Sequence, residues 1–236
     1  MKNKTISIIT NCILVMLVIT VGIISFSGAG YVTTFTSDKP IYKGDTSKKN
    51  VTLMINVYWG TEFIEPMLDC LSKHNITTTF FVGGTWVEKN QDIFLKIVNN
   101  GHEIGNHGYF HKSHDKLSYE QNITEISSCH KVVQTYSLKS MKLFAPPSGA
   151  FSNTTLKAAK DLGYTTIMWS RDTIDWRDKD RKLIFTRATK NITNGELILM
   201  HPTAETLASL DKILCYYEEN MFNVVTVSQN INSVKK

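Results

Sequence analysis

The chain has 236 residues, of which 42% are hydrophobic and 20% charged, an ordinary globular balance and enough length for one domain with a sizeable core. Its net charge of +5 comes from scattered lysines, which excludes the dense basic face of a nucleic-acid binder. Four cysteines without a CxxC pair exclude a zinc knuckle or a redox pair, and they read as small buried hydrophobes. Cys12 falls in the apolar N-terminus, and the odd number left over argues against a full disulfide framework.

In chain order, Lys2 and Lys4 precede an uncharged run from Ile6 to Phe26. Its length suits a membrane anchor or a long signal peptide, with small residues at Ser27-Gly28-Ala29 where a peptidase could cut. Residues 1–30 are therefore expected to be a signal peptide or anchor helix, with the lysines inside and the body outside the membrane. Residues 31–50 are polar and read as a linker, and residues 51–236 as the working domain.

Within that domain β and α patterns alternate. Val51–Val57 is an apolar strand. Ile64, Met67, Leu68 and Leu71 have the spacing of one buried helix face. Thr77–Val82 is a second strand, followed by a helix through Phe94, Ile97 and Val98 that stops at Asn99-Asn100-Gly101. His102–His107 is short and extended. Ser118 and Gln121 form a capping box for a helix through Ile126 and Val133. Leu143–Ala145 runs into Pro146-Pro147, and Ser152 caps a helix that ends at Gly163. Strand Thr165–Trp169, helix Arg181–Thr189, strand Glu196–Met200, helix Thr206–Tyr217 and strand Val224–Val227 complete about seven βα units. Such alternation predicts a parallel sheet, open or closed into a barrel, with the site at the strands' C-terminal ends.

The chemically suggestive residues all fall at such ends. His107 and His111 follow the third strand, and two imidazoles four residues apart can converge on one divalent ion, with Zn, Co or Ni the usual choice. The same HxxxH also occurs as a pair of surface histidines, and His114 is read as a surface residue. His201 closes the apolar run LILM, while Asp175 in DTIDW follows another strand. A carboxylate on one ring nitrogen fixes the tautomer and suits the imidazole as a general acid. Trp176 either stacks on a sugar face or packs into the core. Pro146 and Pro147 stiffen a loop whose amides, from Ser148 onward, are free to meet an oxyanion.

In order and spacing, these segments resemble the polysaccharide deacetylase family (carbohydrate esterase family four), over roughly Val51 to Ile231. The family's HSxxH motif matches His107 to His111, with Gly108 in place of the Ser/Thr. Its RxPYG segment matches Ala145 to Gly149, DxxDW matches Asp172 to Trp176, and LxH matches Leu199 to His201. The resemblance implies a distorted (β/α) barrel and removal of N-acetyl groups from peptidoglycan or chitin-like glycans outside the cytoplasm. It also implies a metal, zinc first, on His107 and His111. His201 would be the catalytic acid tuned by Asp175, with Pro147, Ser148, Trp176 and Leu199 on the substrate.

The first motif departs from the family's TFDDG. Its base aspartate is Asn56, its metal aspartate is Val57, and the arginine that steadies the base is Ala145. An amide takes no proton near neutral pH and valine ligates nothing, so the ion would sit on two imidazoles where three protein ligands are usual. The chain is similar here to a branch of the family, associated with spore-forming bacteria, whose first motif carries Trp-Gly. Three readings follow: a deacetylase with a reorganised base, a catalytically silent glycan-binding member, or a membrane-tethered partner in envelope or spore assembly.

Overall fold

The computed structural model describes residues 14–16 and 39–232. The expected anchor helix lies almost wholly outside them, and no helix among the described residues is long and apolar enough to cross a membrane.

The chain after residue 39 builds one parallel sheet wrapped by helices. Its strands are β1 (Asn50–Val57), β2 (Thr79–Val82), β3 (Glu103–Asn106), β4 (Leu143–Phe144), β5 (Thr165–Thr166), β6 (Arg171–Asp172), β7 (Glu196–Met200) and β8 (Asn223–Val224). The hydrogen-bonded order is β5-β4-β3-β2-β1-β7-β6, with β8 beside β1. This is the distorted barrel that the alternation and the resemblance predict. The helices are α1 (Thr61–Lys73), α2 (Gly84–Lys89), α3 (Gln91–Asn99), α4 (Tyr119–Ser137), α5 (Asn153–Asp161), α6 (Arg181–Thr189), α7 (Ala204–Glu219) and α8 (Val227–Ile231).

Strand β1 is central, with partners on both sides. A strand covered on both faces needs no polar alternation, which is why VTLMINV reads as a nearly unbroken apolar run. Side-chain alternation then divides it. Val51, Leu53, Ile55 and Val57 join the larger apolar cluster shared with the helices, whereas Met54 joins a smaller one with Phe81, Ala145 and Leu197. Helix α1 buries Ile64, Met67, Leu68 and Leu71, each worth about 1.5–3 kcal/mol on removal from water. Helix α4 begins with the predicted Ser118/Gln121 capping box, and α5 at Ser152 with its own box to Thr155.

Several expectations are corrected. The strand expected at Thr165–Trp169 is regular only over β5, and β6 lies outside the expected strands, because two-residue strands carry no periodicity. The run expected as strand Val224–Val227 ends after Val224, and Thr226 caps α8 instead. Part of the linker is structural. Ile41 donates its N–H to Thr166 O (3.0 Å) and accepts from Met168 N (2.8 Å), while Gly44 and Asp45 donate to the carbonyls of Gly195 and Asn230. Lys43 bridges to Glu196. Residues 41–45 thus bond to the edge beyond β5 and to β7, a role that their polar composition conceals. Cys129 is buried as expected, whereas Cys70 and Cys215 are half-buried thiols.

Candidate active site

The C-terminal ends of the strands converge on a cavity of about 340 Å³ lined by Asn56, Tyr58, Trp59, His107, His111, Ser148, Trp169, Asp172, Trp176, Leu199 and His201.

His107 follows β3, and its Nδ1 lies 2.7 Å from the carbonyl of Ala145. A carbonyl only accepts, so Nδ1 carries the proton and Nε2 keeps its lone pair, the tautomer that metal-ligating histidines adopt. Burial, then the nearby His111, holds His107 well below the ordinary imidazole range, and burial lowers His111 as well. Burial thus favours the neutral form of both rings, the form that can ligate a cation. The rings meet edge to face at 5.0 Å, and Tyr58 stacks on His111 at 4.8 Å.

The loop between them is held from behind. Asn106 Oδ1 accepts the Gly108 amide (2.9 Å), and the buried Glu125 on α4 accepts the amides of Tyr109 (3.0 Å) and Phe110 (2.8 Å). Lys112 completes this clamp, 3.2 Å from the other Glu125 oxygen. His111 sits at φ 56, a conformation unusual for a side-chain-bearing residue. His114 is not the surface residue expected. It is fully buried against Phe144, with Nδ1 2.7 Å from Asn122 Oδ1.

Across the cavity, His201 follows β7. Its Nδ1 is 2.8 Å from Asp175 Oδ1, while Asp175 Oδ2 accepts the His201 amide (2.6 Å) and the Thr206 hydroxyl (2.6 Å). Asp175 is thus buried beneath His201 and fully bonded, so the ring presents Nε2 to the cavity. Trp59 lies over that ring nearly parallel, with centroids 5.6 Å apart and an interplanar angle of 9°. Gly60 permits this packing. It has φ +72, and a Cβ there would fall 2.0 Å from the Pro202 carbonyl oxygen.

The remaining predicted residues divide. Ser148 lines the cavity in the left-handed turn at φ 55, and Leu199 lines its floor. Trp176 stands 55% exposed at the rim with the Arg177 guanidinium over its ring. Pro147 is buried and is absent from the lining, so it acts as support. Asn56 reaches the cavity, and its Oδ1 is a buried oxygen without a hydrogen-bond partner. Val57 turns the other way, into the larger apolar cluster. Tyr58, Trp59, Trp169 and Asp172 were not assigned from sequence; the aromatic pair directly after the end of β1 was the available signal.

The family model for polysaccharide deacetylase matches residues 43–167. The chain belongs to the polysaccharide deacetylase family. Among curated relatives, it is 38% identical to YlxY of Bacillus subtilis over 84% of this chain and 62% of that one. It is also 32% identical to the peptidoglycan-N-acetylmuramic acid deacetylase PdaA of the same organism, over 68% and 62%. The chain thus spans about three fifths of each of these two relatives. Among solved structures, a CE4 family pseudoenzyme from Bacillus anthracis superposes with a TM-score of 0.80 at 35% identity, covering 82% of this chain and 69% of that one. A mutant of that pseudoenzyme is described as having restored enzymatic activity.

Proposed function

We propose that this polysaccharide deacetylase family member binds an N-acetylated cell-wall glycan at its cavity and hydrolyses the acetamide, outside the cytoplasm. The observation that carries the reading is the pairing of the Asp175–His201 dyad with the His107 and His111 imidazoles around one cavity. The peptidoglycan deacetylases among its relatives favour a cell-wall substrate and an extracytoplasmic setting. The charge pattern of residues 1–30 favours a signal peptide or anchor.

The donor set fits a divalent cation, zinc by ligand type: two neutral imidazoles and the unpartnered Asn56 oxygen face the same space. Such an ion, when bound on His107 and His111, would polarise the acetyl carbonyl and the attacking water. The protein's own groups do the rest. Leu199 and Trp169 take up the acetyl group, Trp176 offers a rim face to the sugar, and the Ser148 turn presents its amide where the oxyanion develops. His201, held in one orientation by Asp175, gives its Nε2 proton to the leaving amine. Asn56 orients water but accepts no proton, so the proton of the attacking water passes to bulk solvent, and absence of a general base typically forfeits ~10²–10⁴ in rate.

That substitution, together with the likeness to a pseudoenzyme, favours a second reading in which the cavity binds glycan and turns it over extremely slowly or not at all. One experiment separates them: metal content, and acetate release from N-acetylglucosamine oligomers and peptidoglycan, for the full chain and for Asn56→Asp. Slow release by the wild type, rising by about 10²-fold in Asn56→Asp, is the expected outcome. No acetate from either protein, with oligomer binding retained, would leave only the binding reading. Val57→Asp is a poorer probe, since its carboxylate would enter the apolar cluster unless the end of β1 turns over.

A further inference from the structure

Outside the cavity, the C-terminal end of α1 and the middle of α7 bring together a second set of ligand-type side chains. Cys70 and His74 stand four residues apart on α1 and its C-cap, and Asp211 and Cys215 stand four apart on α7. Residues so spaced share a helix face. One ligand atom each of Cys70, His74 and Asp211 lie within 4.8 Å of one another, and among the described residues no other His, Cys, Asp or Glu trio does so. His74 Nε2 and Asp211 Oδ1 are 3.1 Å apart. Two ligands on a tetrahedral zinc at the usual bond lengths sit about 3.3 Å apart, so this edge already has the right size.

We infer that α1 and α7 form a second cation site, a thiolate–imidazole–carboxylate centre of Cys70, His74 and Asp211 for a borderline divalent ion of the zinc class, with water in the remaining position. It lies at the end of the barrel where the strands begin, since α7 ends just before β8, which pairs with the start of β1.

The surroundings suit the assignment. The exposed Glu218 carboxylate stands 3.9 Å from the other ring nitrogen of His74, beyond hydrogen-bond distance but on the side from which an acceptor would orient a metal-bound imidazole. His74 is 11% exposed and Asp211 51%, so the site is walled on one side and open to entry on the other. The competitor is the Lys73 ammonium, 2.9 Å from Asp211, an exposed and displaceable partner. A bound cation would tie together the helices that follow β1, which carries Asn56, and β7, which His201 directly follows. Its role is that of a clamp rather than a reaction centre.

Sulfur separates this site from the catalytic cavity, whose candidate ligands are imidazoles and an amide. The test is a Co²⁺ titration of the reduced full-length chain, following the thiolate-to-cobalt charge-transfer absorption. The band is expected to appear in the wild type, to vanish in Cys70→Ser, and to saturate at one equivalent in His107→Ala/His111→Ala, where the cavity no longer competes for the ion. Asp211→Asn, exposed and mild for folding, is expected to weaken the affinity by about tenfold or more. Absence of the band in the wild type, or an undiminished band in Cys70→Ser, would overturn the assignment. Neither result bears on acetate release.

Discussion

Asp175 shows how much one buried carboxylate does in this site. Its two oxygens meet the His201 ring, the His201 amide and the Thr206 hydroxyl at 2.6–2.8 Å, so it locks the acid and the start of α7 together. Asp175→Asn keeps the shape but sets an NH2 group against two donors. A loss of about 2–4 kcal/mol is expected in urea unfolding, with acetate release falling in parallel. A variant of unchanged stability would mean that the dyad is loose in solution. Glu125 has the corresponding role for the His107 loop. Glu125→Ala leaves two amides without their acceptor, and about 2–3 kcal/mol is expected to be lost. Amide exchange at Tyr109 and Phe110 should quicken before the core exchanges, while retained protection there would show that the clamp is dispensable.

At the scale of elements, the join between β2 and β3 contains a pH-sensitive contact. His102 is buried beside Phe80, and its Nδ1 accepts the Thr78 amide (3.1 Å), an acceptance open only to the neutral ring. Burial lowers its pKa from 6.5 to about 4. The folded value lies below the unfolded one, so its stability contribution is full above pH 6.5 and declines as the pH falls towards 4. Between pH 6.5 and 5 this amounts to on the order of 1–2 kcal/mol after allowance for partial solvent screening. Urea unfolding at the two pH values should show that loss in the wild type and a smaller one in His102→Gln. Equal losses would place the sensitivity elsewhere.

For the whole molecule, the segment before β1 decides whether the barrel edge is held. Ile41, Gly44 and Asp45 contribute four backbone hydrogen bonds to the edge beyond β5, to the turn before β7 and to α8. Each is worth about 0.5–1.5 kcal/mol net. A chain beginning at Ser47 is therefore expected to unfold with at least about 2 kcal/mol less stability than one beginning at Lys39. Coincident urea curves for the two would show that the edge holds without it.

Local chemistry made much of this legible from sequence. Apolar runs marked β1 and β7, period-3.6 spacing marked the buried face of α1, and capping serines marked α4 and α5, because those signals depend on neighbours within one or two turns. The HxxxH, DxxDW and LxH segments and their order pointed to the family, and strand-end placement put His107, His111, Asp175 and His201 around one site. What depends on contacts between distant segments was decided by the tertiary structure. The stacking of Trp59 on His201 needs Gly60 against Pro202, 142 residues away in sequence by their numbers. The burial of His114 and Pro147, the turn of Val57 into the helix layer, the two-residue strands and the bonding of residues 41–45 are of the same kind. So is the meeting of Cys70 and His74 with Asp211. Periodicity reports which face of an element is apolar, but only packing chooses what that face meets.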